Sequence, residues 1–205
     1  MPITPPKKKS KTIKGLCSGI VTGLVDYAGE FRVKIKLPGI DEKGEDLFAR
    51  LATLDAGNNR GSFFMPEIND EVIVGFINDD SRQPIVLGSL FSSKNPPPVN
   101  PQDVNPQKGY VSRSKITILI DDDTKVITIG TPGGKSFSMN DNDQSIAISD
   151  LEGNKIIMDQ NGITIESATT ITLKAGSNIR IQSGGSSSIS SGGTIDIRGS
   201  VVNIN

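Results

Sequence analysis

The chain has 205 residues, of which 22 are glycine, 12 are proline and only 4% are aromatic. This composition indicates an all-β, turn-rich protein and argues against a helical protein with a large aromatic core. Lys and Arg number 22 against 23 for Asp and Glu, so the formal charge of −1 excludes the strong positive field that recruits nucleic acid or an anionic membrane.

The first part of the chain predicts an arm followed by a small β-barrel. Residues 1–18, which open with MPITPPKKKSKT, are rich in proline and lysine and predict a solvated arm. Residues 19–91 contain five β-rich runs between Gly, Pro, Asn and Asp clusters, at residues 20–25, 31–37, 47–54, 71–77 and 85–90. Along FRVKIKL, apolar side chains alternate with the three cations Arg32, Lys34 and Lys36. Five short antiparallel strands favour a closed barrel, of which the OB-fold is the common form.

Two segments of different character follow the predicted barrel. Residues 92–109 contain five prolines and almost no apolar side chains, which predicts an extended, semi-rigid linker. Residues 110–161 contain apolar pairs two positions apart, and successive pairs follow at irregular steps of seven to ten residues. The turns between these pairs are rich in Asp, Asn and Gly. We therefore interpret this part as an irregular β collar.

Residues 162–205 contain an internal repeat of eight residues. Pairs of aliphatic side chains two positions apart recur with this period, and Gly176, Gly184 and Gly192 keep the same spacing. Residues i and i+2 of a strand point to the same side, so each pair places two aliphatic side chains on one face. The side chains that this pattern assigns to a trimer core are Ile163, Ile165, Ile171, Leu173, Ile179, Ile181, Ile189, Ile195 and Ile197.

The repeat predicts an intertwined trimeric β-helix. A single chain needs roughly 18 or more residues for one β-helical turn of three strands, at about 3.3 Å per residue. A repeat of eight residues is too short, whereas three chains that each contribute one face per layer close a triangular prism. Burial of each aliphatic side chain contributes about 1.5–3 kcal/mol to that closure. The predicted fold is all-β, an N-terminal OB-fold barrel followed by an intertwined trimeric β-helix with octad repeats.

The sequence predicts no catalytic, cofactor-binding or metal-binding residues. It has no histidine, and Cys17 is its only cysteine, which disfavours zinc and iron sites and Cys-His catalysis. Eight carboxylates leave an alternative open, a tailspike-type enzyme that cleaves polysaccharide with paired acids. They are Asp121, Asp122, Asp123, Asp141, Asp143, Asp150, Glu152 and Asp159. We favour a turn-forming role, because nearly all acids of this region lie in Asn-, Gly- and Asp-rich turns.

The cations of the predicted barrel leave a second alternative open. OB-folds often bind nucleic acid through basic and aromatic side chains, so Arg32, Lys34 and Lys36 are compatible with an OB-fold binding module. The slightly acidic chain and its few aromatic residues argue against nucleic acid. We therefore interpret these three cations as a candidate contact surface for a protein partner.

Two stretches resemble a known family. GSFFMPEINDEVIVGFINDDSRQPIVLGSLFSSKNPPP, residues 61–98, is similar to the OB-domain signature of VgrG-type proteins and of phage baseplate assembly protein V. Residues 108–176 are similar to the region that follows this domain in the same proteins. The resemblance implies the central spike of a contractile injection system: a phage tail, a bacteriocin, an extracellular injection particle or a type VI secretion machine. Only about 18 residues precede the OB domain, which implies the short form of the spike with a separate hub.

The resemblance also implies partners and a location. It implies a homotrimer with no enzymatic activity, seated on a trimeric hub protein at its OB end and driven through the target membrane on sheath contraction. The His-x-His iron site at the tip of some phage spikes is absent, since the sequence lacks histidine. We therefore expect a PAAR-repeat protein to cap the C-terminal end. We also expect synthesis in the cytoplasm without a signal peptide, and export only by the machine itself.

Overall fold

The structure is a computed structural model that describes residues 11–40 and 46–204. These residues form fourteen β-strands and one short 3-10 turn at Ile77–Asp79. The chain divides into two compact units, Met1–Asp103 and Val104–Asn205. Most of the predicted arm, residues 1–10, lies outside the described residues. The all-β class predicted from the composition is confirmed.

The first unit is built around a closed five-stranded barrel, as predicted. Its strands close in the order β1-β2-β3-β7-β6. The barrel strands are β1 (Cys17–Gly23), β2 (Arg32–Lys36), β3 (Leu47–Leu51), β6 (Glu71–Phe76) and β7 (Pro84–Leu90). A two-stranded hairpin, β4 (Ala56–Gly57) with β5 (Arg60–Gly61), lies in the connection between β3 and β6.

One pairing of the barrel differs from the expected antiparallel arrangement. Strands β3 and β7 run parallel, with Arg50 opposite Ile85 and Leu51 opposite Val86, whereas the other four pairings are antiparallel. The reason is topological. Strand direction cannot alternate all the way around a closed ring with an odd number of strands, so a five-stranded barrel must contain a parallel pair.

The barrel core follows from the alternation of apolar and polar residues along its strands. Val33 and Ile35 of β2 have no exposed surface and Leu37 is 3% exposed, which confirms the inward face predicted for FRVKIKL. Burying each such side chain contributes about 1.5–3 kcal/mol. The complete buried core of the described residues is Val21, Val33, Ile35, Leu37, Ala49, Val72, Val74 and Val86.

The second unit contains a seven-stranded sheet in which each strand pairs with its neighbour in sequence. All of these pairings are antiparallel, so the sheet is a simple meander. The first strand starts within the last residues of the expected linker. The strands are β8 (Gln107–Val111), β9 (Thr117–Asp121), β10 (Val126–Gly130), β11 (Ser136–Asn140), β12 (Ser145–Ser149), β13 (Lys155–Asp159) and β14 (Gly162–Glu166).

The part that we expected to be an irregular collar has a regular repeat. Strands β9, β11 and β13 begin 19 residues apart, at Thr117, Ser136 and Lys155, and β8, β10 and β12 have the same spacing. Turns of five residues at one edge of the sheet alternate with turns of four residues at the other, up to β13. The apolar pairs therefore step by nine and ten residues in turn, which looks irregular until two steps are added together.

Beyond β14, the described residues 167–204 contain no β-strand. Their side chains are exposed almost throughout. Of the segment predicted to form the β-helix, only the part within β14 is a strand of this single chain. The intertwined trimeric β-helix stays a prediction.

The barrel core provides the first test. We expect Ile35→Ala to lower the free energy of unfolding by about 2–5 kcal/mol, because it leaves a cavity in a fully buried site. Lys36→Ala is the matched control on the exposed face of the same strand, and should change it by no more than about 0.5 kcal/mol. Urea unfolding followed by far-ultraviolet circular dichroism measures both values. Equal effects of the two variants would contradict the assignment of faces.

Candidate functional site

A wide apolar surface covers one face of the seven-stranded sheet. Each of β9 to β14 contributes two side chains in cross-strand register; Ile129, for example, lies opposite Ile118 on one side and Phe137 on the other. Cross-strand neighbours of this kind stabilise a sheet. We call this surface the apolar face. Its twelve members are Ile118, Ile120, Ile127, Ile129, Phe137, Met139, Ile146, Ile148, Ile156, Met158, Ile163 and Ile165.

The apolar face is exposed in the single chain. Ile148 is 50% exposed and Ile163 is 70% exposed, whereas Ala147 on the reverse side of the sheet is partly buried. Soluble proteins rarely leave a contiguous apolar surface of this width open unless another molecule contacts it. The apolar face therefore indicates a binding surface.

A groove of about 640 Å³ runs along one row of the apolar face. Its lining includes Ile129, Phe137, Ile148, Ile156, Ile165 and Ile171. Ile165 of β14 and Ile171 of the following segment both line this groove, and both belong to the predicted trimer core. The apolar surface thus extends from the sheet into the beginning of the octad repeat.

Most of the other predicted trimer-core residues lie farther along the chain and are exposed in this structure. Within residues 167–204, Ile179 is 55% exposed and Ile189 is 74% exposed. The other exposed members are Ile171, Leu173, Ile181, Ile195 and Ile197. The side-chain hydrogen bonds of the octads are local, such as the one that Ser183 Oγ donates to Ser186 O. Extended backbone without a neighbouring strand leaves donors and acceptors available for pairing.

At each edge of the sheet, the turns share one type of hydrogen bond from a backbone N–H to a side-chain oxygen. At the five-residue turns, side-chain oxygens of Ser112, Thr131 and Asp150 accept hydrogen bonds from the backbone N–H four residues ahead. At the four-residue turns, Asp121 and Asn140 accept from the N–H three residues ahead. Ser, Thr, Asp and Asn share these positions because each has a short side chain whose oxygen can cap a turn.

These turn hydrogen bonds lower the pKa of two candidate acids. The backbone N–H of Thr124 is the main cause for the lowered pKa of Asp121, and the side chain of Asn154 is the main cause for that of Asp150. A carboxylic acid that protonates a glycosidic oxygen needs a raised pKa. The environment of both carboxylates is thus opposite to that of a catalytic acid.

Two further features of the described residues bear on function. Within residues 11–40 and 46–204, no three Cys, Asp or Glu side chains are grouped so that they could hold a metal ion. No helix in the same ranges is long and apolar enough to span a membrane.

The three predicted contact cations lie on the outer face of β2, but they differ in their partners. Arg32 donates to Asp26 through Nε at 3.0 Å and Nη2 at 2.9 Å, and it pairs with Glu30 at 3.0 Å. Lys34 and Lys36 form no ion pair with any described residue. The charge of Arg32 is therefore largely compensated within its own loop, whereas those of Lys34 and Lys36 are not.

Asp26 fixes the turn between β1 and β2, a role that the sequence analysis missed. Its side chain is 5% exposed and accepts backbone hydrogen bonds from Ala28, Glu30 and Arg32. The side chain of Arg32, followed by the backbone N–H groups of Ala28 and Arg32, holds the pKa of Asp26 far below its ordinary value. The DYAGEFR segment has a detectable signal, since an Asp shortly before a Gly is typical of a turn.

A second and smaller groove, of about 140 Å³, borders the same face of the barrel. We call it the basic groove. Its lining is Glu30, Arg32, Phe48, Arg50, Ile77, Arg82, Gln83 and Pro84. The sequence analysis missed Arg50 and Arg82 because the barrel brings them beside Arg32 from β3 and from the connection between β6 and β7.

Comparison with known proteins places the barrel in one family. Residues 17–91 match the family model for the type VI secretion system/phage-baseplate injector OB domain. The chain is 27% identical over 117 residues to the type VI secretion system spike protein VgrG1a of Pseudomonas aeruginosa, an alignment of 53% of this chain and 18% of that protein.

Shorter alignments have higher identity. The chain is 38% identical over 71 residues to spike protein VgrG2a of Pseudomonas aeruginosa, which is 33% of this chain and 8% of the relative. It is 34% identical over 77 residues to spike protein VgrG3 of Vibrio cholerae, which is 35% of this chain and 8% of the relative. The chain thus spans less than a fifth of the length of these curated relatives.

The depressed pKa of Asp26 predicts how the barrel responds to pH. A folded carboxyl whose pKa is lowered stabilises the native state above its unfolded pKa, near about 3.9, and this stabilisation is lost as the pH falls through the folded pKa. We expect Asp26→Asn to lower the free energy of unfolding at pH 7, and its difference from wild type to shrink steadily below about pH 4.

Urea unfolding at neutral and acid pH measures this difference. Asp103→Asn is the control, since Asp103 is exposed and makes no hydrogen bond or ion pair with the described residues. A loss in Asp26→Asn that does not depend on pH would mean that the charge of Asp26 is not what stabilises the turn.

Proposed function

Because the chain belongs to the family of VgrG-type and phage-baseplate V spike proteins, we propose that it is the central spike of a contractile injection machine. Three copies form one rod, and contraction of the sheath drives this rod through the target membrane. The function is mechanical and involves no catalytic residue or cofactor. The spike is part of an injection particle or phage tail.

The exposed apolar face is the single observation that most supports this proposal. Twelve side chains in cross-strand register form a surface that one chain leaves in water. Their burial in a trimer contributes about 1.5–3 kcal/mol for each side chain that is fully covered. The two neighbouring chains are thus the occupants of the 640 Å³ groove.

The octad segment continues the same arrangement with a shorter repeat. In the proposed intertwined β-helix, each chain gives one strand per layer, and the strands of its two neighbours supply the missing backbone hydrogen bonds. The aliphatic pairs from Ile163 to Ile197 point to the axis of a triangular prism. Ser, Thr, Asn, Lys and Arg side chains then cover the outside.

The proposed organisation has five parts. Residues 1–18 form the arm, 19–91 the OB domain, 92–109 the linker, 110–161 the collar and 162–205 the spike. Strand β8 begins at Gln107, so the last residues of the linker take part in the collar.

Axial force explains why such a rod would be intertwined. Interwound chains have no separate subunit that can be peeled away, and each strand is hydrogen-bonded on both sides. The load is distributed over a closed column of backbone hydrogen bonds and an interior in which Ser187 is the one polar side chain at the inward octad positions from Ile171 to Ile197. A rod of this kind can enter a membrane without unfolding.

Two partners complete the proposal. The OB domains sit on a trimeric hub protein, with Arg32, Lys34 and Lys36 as the candidate contact residues. A PAAR-repeat protein covers the C-terminal end, where the open backbone edges of three chains would otherwise meet water.

The first test is the mass of the purified chain in solution by light scattering. We expect three times 21.8 kDa for the wild type. Ile171→Asp should reduce the mass to that of a monomer, because it places three carboxylates in one buried layer. Thr172→Asp is the matched control, since the neighbouring side chain points outward, and it should stay trimeric. A monomeric wild type, or a trimeric Ile171→Asp, would refute the proposed core.

A second test addresses the enzymatic alternative. Replacing Asp122 and Asp123 together by Asn preserves the shape of both side chains and removes their charge. We expect injection particles with this double variant to keep their full membrane-piercing activity, measured as loss of membrane potential in target cells. Loss of activity with an unchanged trimer mass would favour the polysaccharide-degrading enzyme instead.

A further inference from the structure

The outer face of β2 and β3 has an unusual arrangement of cations. In the strand register, Arg32 lies opposite Arg50, and Lys34 lies opposite Phe48. Like charges directly opposite each other destabilise a sheet unless counter-charges offset them. Asp26 and Glu30 neutralise Arg32, and Asp80 pairs with Arg82 at 2.6 Å.

Arg50 has no such partner within residues 11–40 and 46–204. Arg50 is exposed and lines the basic groove together with two arginines that are already paired. The guanidinium can donate two parallel hydrogen bonds to a carboxylate, which gives both strength and orientation. Arg50 is therefore an uncompensated positive charge at the basic groove. Lys34 and Lys36 do not line this groove, and they add unpaired positive charges along the adjacent strand.

Phe48 determines which kind of anion this site suits. The guanidinium of Arg32 lies 5.0 Å from the centre of its ring, and Nζ of Lys34 lies 5.4 Å from it. These cation–π contacts hold the two cations in place and occupy the ring. Nucleic-acid sites in OB-folds need aromatic rings that are free to stack on bases. The arrangement therefore favours carboxylates over nucleotides.

The small size of the basic groove also favours a carboxylate side chain as its ligand. Its volume of about 140 Å³ is well below the roughly 300–1,000 Å³ of pockets that enclose small-molecule ligands. A space of this size suits a side chain from a protein surface.

We propose that the basic groove binds carboxylate side chains of an acidic segment in a partner protein, with Arg50 as the principal contact and Lys34 and Lys36 beside it. This inference rests on the proposed function, in which the barrel is seated on a protein hub. The inference replaces Arg32 by Arg50 among the candidate hub-contact residues. Arg32 positions Phe48 and the turn between β1 and β2, whereas Arg50 makes the bidentate contact with the partner.

The test uses the full-length chain and a fluorescein-labelled peptide with alternating Glu and Ser residues. A Gln-Ser peptide of the same length is the uncharged control, and a thymidine oligonucleotide is the competitor for the nucleic-acid alternative. Fluorescence anisotropy measures binding at low salt, where exposed charges are least screened. The protein variants are Arg50→Glu, Arg50→Lys and the control Lys94→Glu, whose site is exposed and outside the groove.

We expect the Glu-Ser peptide to bind more tightly than its Gln-Ser analogue. Arg50→Glu should weaken this binding about tenfold or more, Arg50→Lys should weaken it less, and Lys94→Glu should have little effect. Carbodiimide coupling, which joins carboxylates to lysine amines, should attach the peptide to Lys34 or Lys36 and not to Lys94.

Three results would overturn the inference. They are equal binding of the two peptides, equal losses in Arg50→Glu and Lys94→Glu, or an oligonucleotide that binds more tightly than the acidic peptide and depends on Arg50. Light scattering on the same samples separates this inference from the proposed function. A monomeric wild type would refute the spike, whereas a trimer that does not distinguish the peptides would refute only the groove.

Discussion

A sheet with an apolar face must cover that face, and in the described part of the second unit nothing does so. The other properties of this unit follow from that constraint. The turns fix the strand register with side-chain hydrogen bonds at both edges, because a slip by one residue would move every aliphatic side chain to the opposite face. Small residues such as Ala147 and Ser138 lie on the reverse side. The turn hydrogen bonds thus keep the aliphatic side chains together on the apolar face.

The two units obtain their stability in different ways. The barrel closes on itself and buries eight residues in a core of its own. The described residues of the second unit contribute none to a buried core. In the proposed trimer, folding of the second unit is coupled to association and depends on protein concentration, while the barrel is stable in each separate chain. In that trimer, the barrel of each chain can fold before the second units of the three chains associate.

Sequence reasoning was reliable where one strand alone contains the signal. The alternation along β2 predicted its buried face, and the octad spacing from Ile163 onward was visible by inspection. It failed where the outcome depends on two distant segments. The Asp26 turn has a local signal in DYAGEFR that the sequence analysis overlooked, whereas nothing near Arg50 indicates that the barrel places it opposite Arg32. The trimeric β-helix stays a prediction, since its contacts lie between chains.

The alternation of four- and five-residue turns has a consequence for the extent of the seven-stranded sheet. One repeat of 19 residues adds two strands to the sheet, or about 9.5 Å in the direction of hydrogen bonding. Duplication or loss of one such repeat preserves the orientation of every side chain and leaves both edges with their own turn type. Such a sheet can gain or lose strands in fixed steps of two, so its extent can change without altering the remaining strands.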